Sequence, residues 1–137
     1  MAKYKIIKDT NPIMRKRSNP VDLPLSKEDK ETLDFMLQYL IKSQDEEYAK
    51  KHNITPGVGM AAIQIGLLKR MFVIYYPTEN DVVQYQLVNP VMLETSVRKC
   101  ALEAGEGCLS VDNHHEGLVH RSYKIKKLSL PQLDMMR

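Results

Sequence analysis

The chain of 137 residues has no tryptophan, two phenylalanines and two cysteines. Two cysteines are too few for the disulfide framework of a small secreted protein, so we expect a cytoplasmic protein. No run of about 18 apolar residues is present, and the first residues lead into no apolar stretch, so we expect neither a membrane span nor a signal peptide. The net charge of +3 is too small to predict binding to nucleic acid.

The composition that is present, 43% hydrophobic and 27% charged residues, suits one small globular domain. Its clearest element is a helix that begins after Ser26, which opens a capping box, and ends between residues 42 and 44. One apolar stripe runs along this helix and consists of Leu33, Met36, Leu37, Leu40 and Ile41. Residues 45–53 are either a second short helix or a polar insertion.

Most of the remaining chain predicts short strands. β-branched, aromatic or alternating residues place them at 4–8, 71–76, 82–88, 91–97, 108–111 and 118–127. Residues 78–81 have the composition of a hairpin turn, and 60–65 that of a short helical turn ended by Gly66. One amphipathic helix with several antiparallel strands predicts the α+β class.

The first segment with chemical potential is Gly57-Val58-Gly59-Met60-Ala61-Ala62-Ile63-Gln64. Two glycines allow a sharp turn and a close approach to a ligand, and Gln64 offers an amide donor and acceptor. The third glycine of a dinucleotide fingerprint is missing. A purely structural turn and a ligand-binding loop both remain open from these residues.

The second segment is Glu106-Gly107-Cys108-Leu109-Ser110, in which a thiol follows a glycine. Cys108 is a buried core thiol, a nucleophile or a metal ligand, and the residues alone leave all three readings open. Cys100 lies eight residues earlier, and we expect it to be a packed thiol.

Taken together in this order, the two segments resemble peptide deformylase, a family that removes the formyl group from the N-terminal formyl-methionine of nascent chains. The flanks Asp9-Thr10-Asn11-Pro12 and Asn89-Pro90 are also similar. The insertion at 43–54 is similar to the longer, Gram-positive-type class. The resemblance covers residues 4–126. It implies antiparallel sheets with one N-terminal helix, a domain over residues 1–126 and a divergent tail over 127–137.

The resemblance also implies roles for individual residues. Cys108 is then one of three protein ligands to a divalent metal, Fe²⁺ or a substitute such as Zn²⁺ or Ni²⁺. The side chain of Gln64 and the backbone N–H of Leu109 are then donors to the oxyanion formed at the formyl carbon. The implied substrate is an N-formyl-methionyl peptide on a ribosome-associated nascent chain. Residues implied in substrate binding or in bracing the site are Val58, Gly59, Glu106 and Gly107.

The family's remaining motif, His-Glu-x-x-His on a C-terminal helix, is absent from these residues. The four histidines are His52, His114, His115 and His120, and none matches that motif. Since two ligands and the general acid/base are lacking, we expect this chain to have little or no deformylase activity. Ile63 also replaces the family's usual proline, which should change loop stiffness more than chemistry.

Other hypotheses remain. One is a non-enzymatic peptide- or protein-binding remnant of the fold. Another is a different metal site that uses Cys108 with His114, His115 or His120. Without the C-terminal helix, the inner faces of strands 71–76 and 82–88 should lose a packing partner, so we expect exposed apolar surface and self-association. The tail from Leu128 is a frameshift, a truncation or a natural divergence.

Overall fold

A computed structural model describes residues 4–112 and 117–128. It confirms the α+β class, with antiparallel sheets and few helices. None of the helices in the described part of the chain is long and apolar enough to cross a membrane. In chain order, the helices and strands are a 3-10 helix Pro12–Arg15, α1 Lys27–Ser43, α2 Glu46–His52, β1 Gly59–Ala61, a 3-10 helix Ala62–Ile65, β2 Met71–Pro77, β3 Val82–Val88, β4 Val91–Thr95, β5 Lys99–Cys100, β6 Arg121–Ser122 and β7 Ile125–Leu128.

Both α-helices begin at a capping side chain. Ser26 Oγ accepts a hydrogen bond from the N–H of Asp29 at 3.0 Å, as the predicted capping box requires. The stripe residues Leu33, Met36, Leu37 and Leu40 are buried. At the second helix, Asp45 Oδ1 accepts from the N–H of Tyr48, and Asn53 ends the helix in the left-handed conformation. The segment is therefore a helix rather than a polar insertion.

The largest sheet has the antiparallel order β1-β2-β3. Strands β2 and β3 form the predicted hairpin, and Thr78 at its turn donates its N–H to the carbonyl of Asp81 at 2.7 Å. Helix α1 packs on β2, so that Met71 and Val73 are buried with Val88 of β3. One face of the hairpin therefore has α1 as its partner. On the opposite face Phe72 and Ile74 are half-buried and Tyr76 is exposed, so the expectation that an inner face lacks a partner stays a prediction. At the turn end, by contrast, Val82 and Val83 are exposed.

A buried acid fixes the start of α1 to the chain before β2. The carboxylate of Asp29 is 5% exposed and accepts a hydrogen bond from Lys69 Nζ. This hydrogen bond favours the charged ammonium and raises the pKa of Lys69 above its ordinary value. The ion pair therefore offsets part of the free energy that it costs to bury the charged carboxylate of Asp29.

Two small sheets, β4-β7 and β5-β6, follow the hairpin. Every residue of β4 is exposed, including Val91, Met92 and Leu93. Exposed apolar side chains are therefore present in the described part of the chain, and three neighbouring ones lie on β4. A two-stranded sheet exposed in this way gains little from hydrophobic burial.

The strand predictions nearest the two ends of the described chain are wrong or incomplete. Residues 4–8 form no strand, although the N–H of Ile7 donates to the carbonyl of Gln64 at 2.7 Å. The predicted strand 118–127 is instead two short strands, β6 and β7, separated at Tyr123 and Lys124. The boundary after residue 126 stays a prediction, and most of the tail lies outside the described residues.

Candidate active site

The first segment begins with a glycine that makes room for the second segment. A Cβ on Gly57 would lie 3.0 Å from Leu109 Cδ1, which is closer than a normal contact. Gly59 lies in β1 opposite Ile74, and neither glycine is among the residues with positive φ. The chain bends at Val58, between the two glycines, without a left-handed residue. The lack of a side chain on Gly57 allows the close packing of the two segments.

The end of the first segment fixes the side chain of Gln64. The 3-10 helix Ala62–Ile65 follows β1 and ends at Gly66, whose φ of 85° is left-handed. Within this turn, Gln64 Oε1 accepts a hydrogen bond from the N–H of Ala61 at 3.0 Å. With its oxygen bound in this way, the amide points its Nε2 away from its own backbone.

The second segment is a tight turn. The N–H of Val111 donates to the carbonyl of Cys108 at 3.1 Å, so the predicted strand over residues 108–111 is wrong. The turn buries Ser110, which is 1% exposed, and leaves the Cys108 thiol exposed. This exposure contradicts the reading of Cys108 as a core thiol. Cys100 is exposed too, so the expectation that it is packed is also wrong.

The two segments meet at the amide of Gln64. Its Nε2 donates to Ser110 Oγ at 3.2 Å and lies 3.8 Å from Cys108 Sγ. Within the described residues, the backbone N–H of Leu109 has no acceptor. A thiol, a side-chain amide and an unused N–H therefore lie together, although Gln64 and Cys108 are 44 positions apart in the chain.

These groups border a cleft of about 340 Å³. Six residues that the sequence predicts for the site line this cleft: Val58, Gly59, Gln64, Gly107, Cys108 and Leu109. Four further lining residues are Gln44, Thr55, Pro56 and Gly57. The structure thus brings together every predicted site residue except Glu106.

Glu106 lies beside the cleft and binds an arginine instead. Arg121 donates from Nε and Nη2 to the two carboxylate oxygens of Glu106, at 3.1 and 3.2 Å. These hydrogen bonds raise the pKa of Arg121 above its ordinary value. The paired geometry connects the Cys108 segment to β6, and the bracing role of Glu106 stays a prediction.

Sequence reasoning missed two polar residues at the end of α1. Ser43 Oγ accepts from the N–H of Gly57 at 3.1 Å, and Gln44 Nε2 donates to the carbonyls of Gly57 and Tyr75 at 2.9 and 2.8 Å. They hold the first segment against the helix. A signal was available, because Ser43 continues the buried stripe three residues after Leu40 and a buried hydroxyl needs a partner.

The described residues do not form a metal site. Among residues 4–112 and 117–128, no three His, Cys, Asp or Glu side chains converge to hold an ion. Of the described residues that line the cleft, Cys108 alone is of these types. His114 and His115, and the alternative site built on them, lie outside the described residues. His120 is exposed and belongs to no cluster of potential ligands there.

Comparison with known proteins decides the family. A family model described as polypeptide deformylase matches residues 3–130. The chain belongs to this family. It is 46% identical over 122 residues to the peptide deformylase of Staphylococcus epidermidis, and 47% identical over 122 residues to that of Halalkalibacterium halodurans. These matches cover 88% of this chain and only 67% and 66% of those deformylases.

Solved deformylases share the fold. A probable peptide deformylase from a Synechococcus phage superposes with a TM-score of 0.69 and 30% identity, covering 91% of this chain and 74% of the other. A peptide deformylase from Acinetobacter baumannii gives a TM-score of 0.71 with 26% identity, covering 97% and 80%. The described sheets and α1 are therefore those of a peptide deformylase fold.

Proposed function

We propose that the cleft binds the N-terminal end of an N-formyl-methionyl peptide, the substrate class that membership in the family implies. The observation that carries this proposal is the convergence of Gln64, Cys108 and Leu109 on one cleft. A solved relative, the class I type b peptide deformylase of Acinetobacter baumannii, has been determined with Met-Ala-Ser bound. A peptide of that kind is the natural probe for this chain.

In the proposed complex, two donors face the carbonyl oxygen of the formyl group. Gln64 Nε2 is already held by the bond from Ala61 to its oxygen, and the N–H of Leu109 needs an acceptor. Fixed donors aimed at a developing oxyanion make a large contribution to transition-state stabilisation in acyl transfer. Val58, which is 51% exposed, and Gly59 and Gly107 supply walls of the cleft.

We further propose that the 137-residue chain by itself hydrolyses formyl-peptides little or not at all. Family membership implies a divalent metal, and catalytic sites of this kind use three protein ligands and one open position. The cleft supplies one ligand, Cys108, and the sequence contains no His-Glu-x-x-His. The identity of the metal, Fe²⁺ or Zn²⁺ or Ni²⁺, stays a proposal. Two free, exposed thiols favour action in a reducing compartment, the cytoplasm.

Peptide binding tests the site separately from turnover. We expect N-formyl-Met-Ala-Ser to shift amide NMR signals of residues lining the cleft, and Gln64→Glu to weaken its binding about fivefold or more. The variant replaces a donor by a carboxylate that repels the carbonyl oxygen. Gln38→Glu, an exposed change on α1 outside this cleft, makes the same charge change and should leave the affinity unaltered.

Two results of this titration would contradict the proposal. One is the absence of shifts at millimolar peptide. The other is a set of shifts that avoids residues 57–64 and 107–109.

A second candidate is a non-enzymatic peptide-binding module. It is favoured by the way in which Ser43 and Gln44 hold the cleft wall through protein contacts alone. Such a module has no need of the formyl group, so Met-Ala-Ser without it should bind as tightly as the formylated peptide. A clear preference for the formylated peptide would instead favour the deformylase site.

We also propose self-association through the exposed apolar side chains of β4. The side chains of β4 include three exposed apolar neighbours: Val91, Met92 and Leu93 are 53%, 62% and 49% exposed. Exposure of adjacent apolar groups to water costs free energy, which association can recover. We expect sedimentation velocity to show an average mass that rises with concentration, and Met92→Lys to reduce this rise. Val82→Lys, an exposed apolar position on another sheet, is the control. A monomer at all concentrations would contradict self-association.

A further inference from the structure

The N-terminal segment 7–9 contacts both halves of the site. The N–H of Ile7 donates to the carbonyl of Gln64 at 2.7 Å, and the N–H of Asp9 donates to the carbonyl of Ser110 at 2.9 Å. Between them, Lys8 extends its side chain toward the Cys108 turn, residues 108–111. One short segment therefore binds the backbone of the 3-10 helix that contains Gln64 and the backbone of the Cys108 turn.

The ammonium group of Lys8 donates two hydrogen bonds at the Cys108 turn. Lys8 Nζ donates to the carbonyl of Leu109 at 3.3 Å and to Asp112 Oδ1 at 2.7 Å. One partner lies inside the turn and the other directly follows it. Lys8 thus connects the two ends of a turn from which it is 101 and 104 positions distant in sequence.

Three successive carbonyls of the turn accept hydrogen bonds. The carbonyl of Cys108 accepts from Val111, that of Leu109 from Lys8, and that of Ser110 from Asp9. By contrast, the N–H of Leu109 has no acceptor within the described residues. The turn is therefore held by its carbonyl groups, and no contact among the described residues uses this N–H.

We propose that Lys8 is a positioning residue that fixes the Cys108 turn and so directs the N–H of Leu109 into the cleft. This inference rests on the proposed peptide site. An isolated surface ion pair would contribute little, since the side chains of Lys8 and Asp112 are 46% and 76% exposed. The role of Lys8 follows instead from the carbonyl that it binds within the site.

Hydrogen exchange tests this role without any ligand. In Lys8→Met, we expect the amide of Val111, which closes the turn, to exchange about fivefold faster, because the hydrogen bond to the carbonyl of Leu109 is lost and one hydrogen bond is worth about that factor. Lys8→Arg should restore slow exchange, since a guanidinium also donates to both partners. Lys5→Met removes the same charge from an exposed position three residues earlier, and Lys5 has no hydrogen bond or ion pair among the described contacts.

A second measurement connects the turn to ligand binding. We expect the affinity for N-formyl-Met-Ala-Ser to fall about fivefold in Lys8→Met and to return in Lys8→Arg. Unchanged exchange at Val111, an equal effect in Lys5→Met, or failure of Lys8→Arg to restore the exchange rate would overturn the role of Lys8. If no variant or wild-type chain binds the peptide while exchange responds as expected, the proposed function fails and the positioning of the turn stands.

Discussion

Addition of Fe²⁺, Zn²⁺ or Ni²⁺ to the 137-residue chain is expected to release no formate from N-formyl-Met-Ala-Ser above the rate of a protein-free blank. A single thiolate holds a divalent ion weakly, and among the described residues that line the cleft there is no histidine, aspartate or glutamate to act as a general base. Enzymes accelerate their reactions by about 10⁶-fold or more, so the rate of formate release distinguishes clearly between an active site and an inactive one. The Staphylococcus epidermidis peptide deformylase, at the same metal concentration, serves as the positive control.

The variant Cys108→Ala makes this experiment sharper. We expect it to match the wild-type chain in formate release, and equilibrium dialysis to find less than one bound metal ion per wild-type chain. Cys100→Ala removes the other exposed thiol and controls for loose metal binding by any cysteine. Metal-dependent turnover that disappears in Cys108→Ala and persists in Cys100→Ala would show that the chain acquires its missing ligands in another way.

The elements predicted correctly are those whose cause is local. Ser26 and the stripe after it lie within 18 residues, and they specify both the start of α1 and the face that it buries. The hairpin of β2 and β3 likewise follows from two apolar runs and the polar turn between them. In both cases the sequence neighbourhood contains the groups that make the decisive contacts.

The errors arise where a distant partner decides the conformation. Residues 4–8 have the composition of a strand. They form isolated hydrogen bonds to Gln64 and to the Cys108 turn instead of pairing with a strand. Residues 108–111 also suit a strand, yet the bond from Val111 to Cys108 folds them back. Alternation of residue types describes a face and cannot say whether another strand is available beside it.

The candidate site shows the same division. The family resemblance of the two glycine-containing segments predicted the groups of the site, and the structure brings six of them together at the cleft. The supports were missed: only the position of Ser43 on the buried stripe gave a signal, whereas Gln44 and Lys8 act on backbone carbonyls that no sequence pattern identifies. A motif thus identifies the groups with chemistry, whereas their orientation depends on contacts from distant parts of the chain.

The helix on which this site depends gives the second large prediction. Leu40 is fully buried in the core between α1 and the main sheet, three residues before Ser43, which holds Gly57. Leu40→Ala is expected to lower the free energy of unfolding by about 2–5 kcal/mol, since lost transfer energy and a residual cavity add. For a domain of this size, that corresponds to a fall in Tm of roughly 10 °C.

Thermal unfolding followed by circular dichroism measures this effect, with Leu102→Ala as the matched control. Leu102 loses the same atoms but is 64% exposed, so its Tm should stay within about 2 °C of wild type. Equal shifts in both variants would show that α1 is not packed on the sheet as described. If α1 is packed in this way, Leu40→Ala should also weaken binding of N-formyl-Met-Ala-Ser at temperatures well below its Tm, because Ser43 and Gln44 hold the cleft wall only as part of an intact helix end.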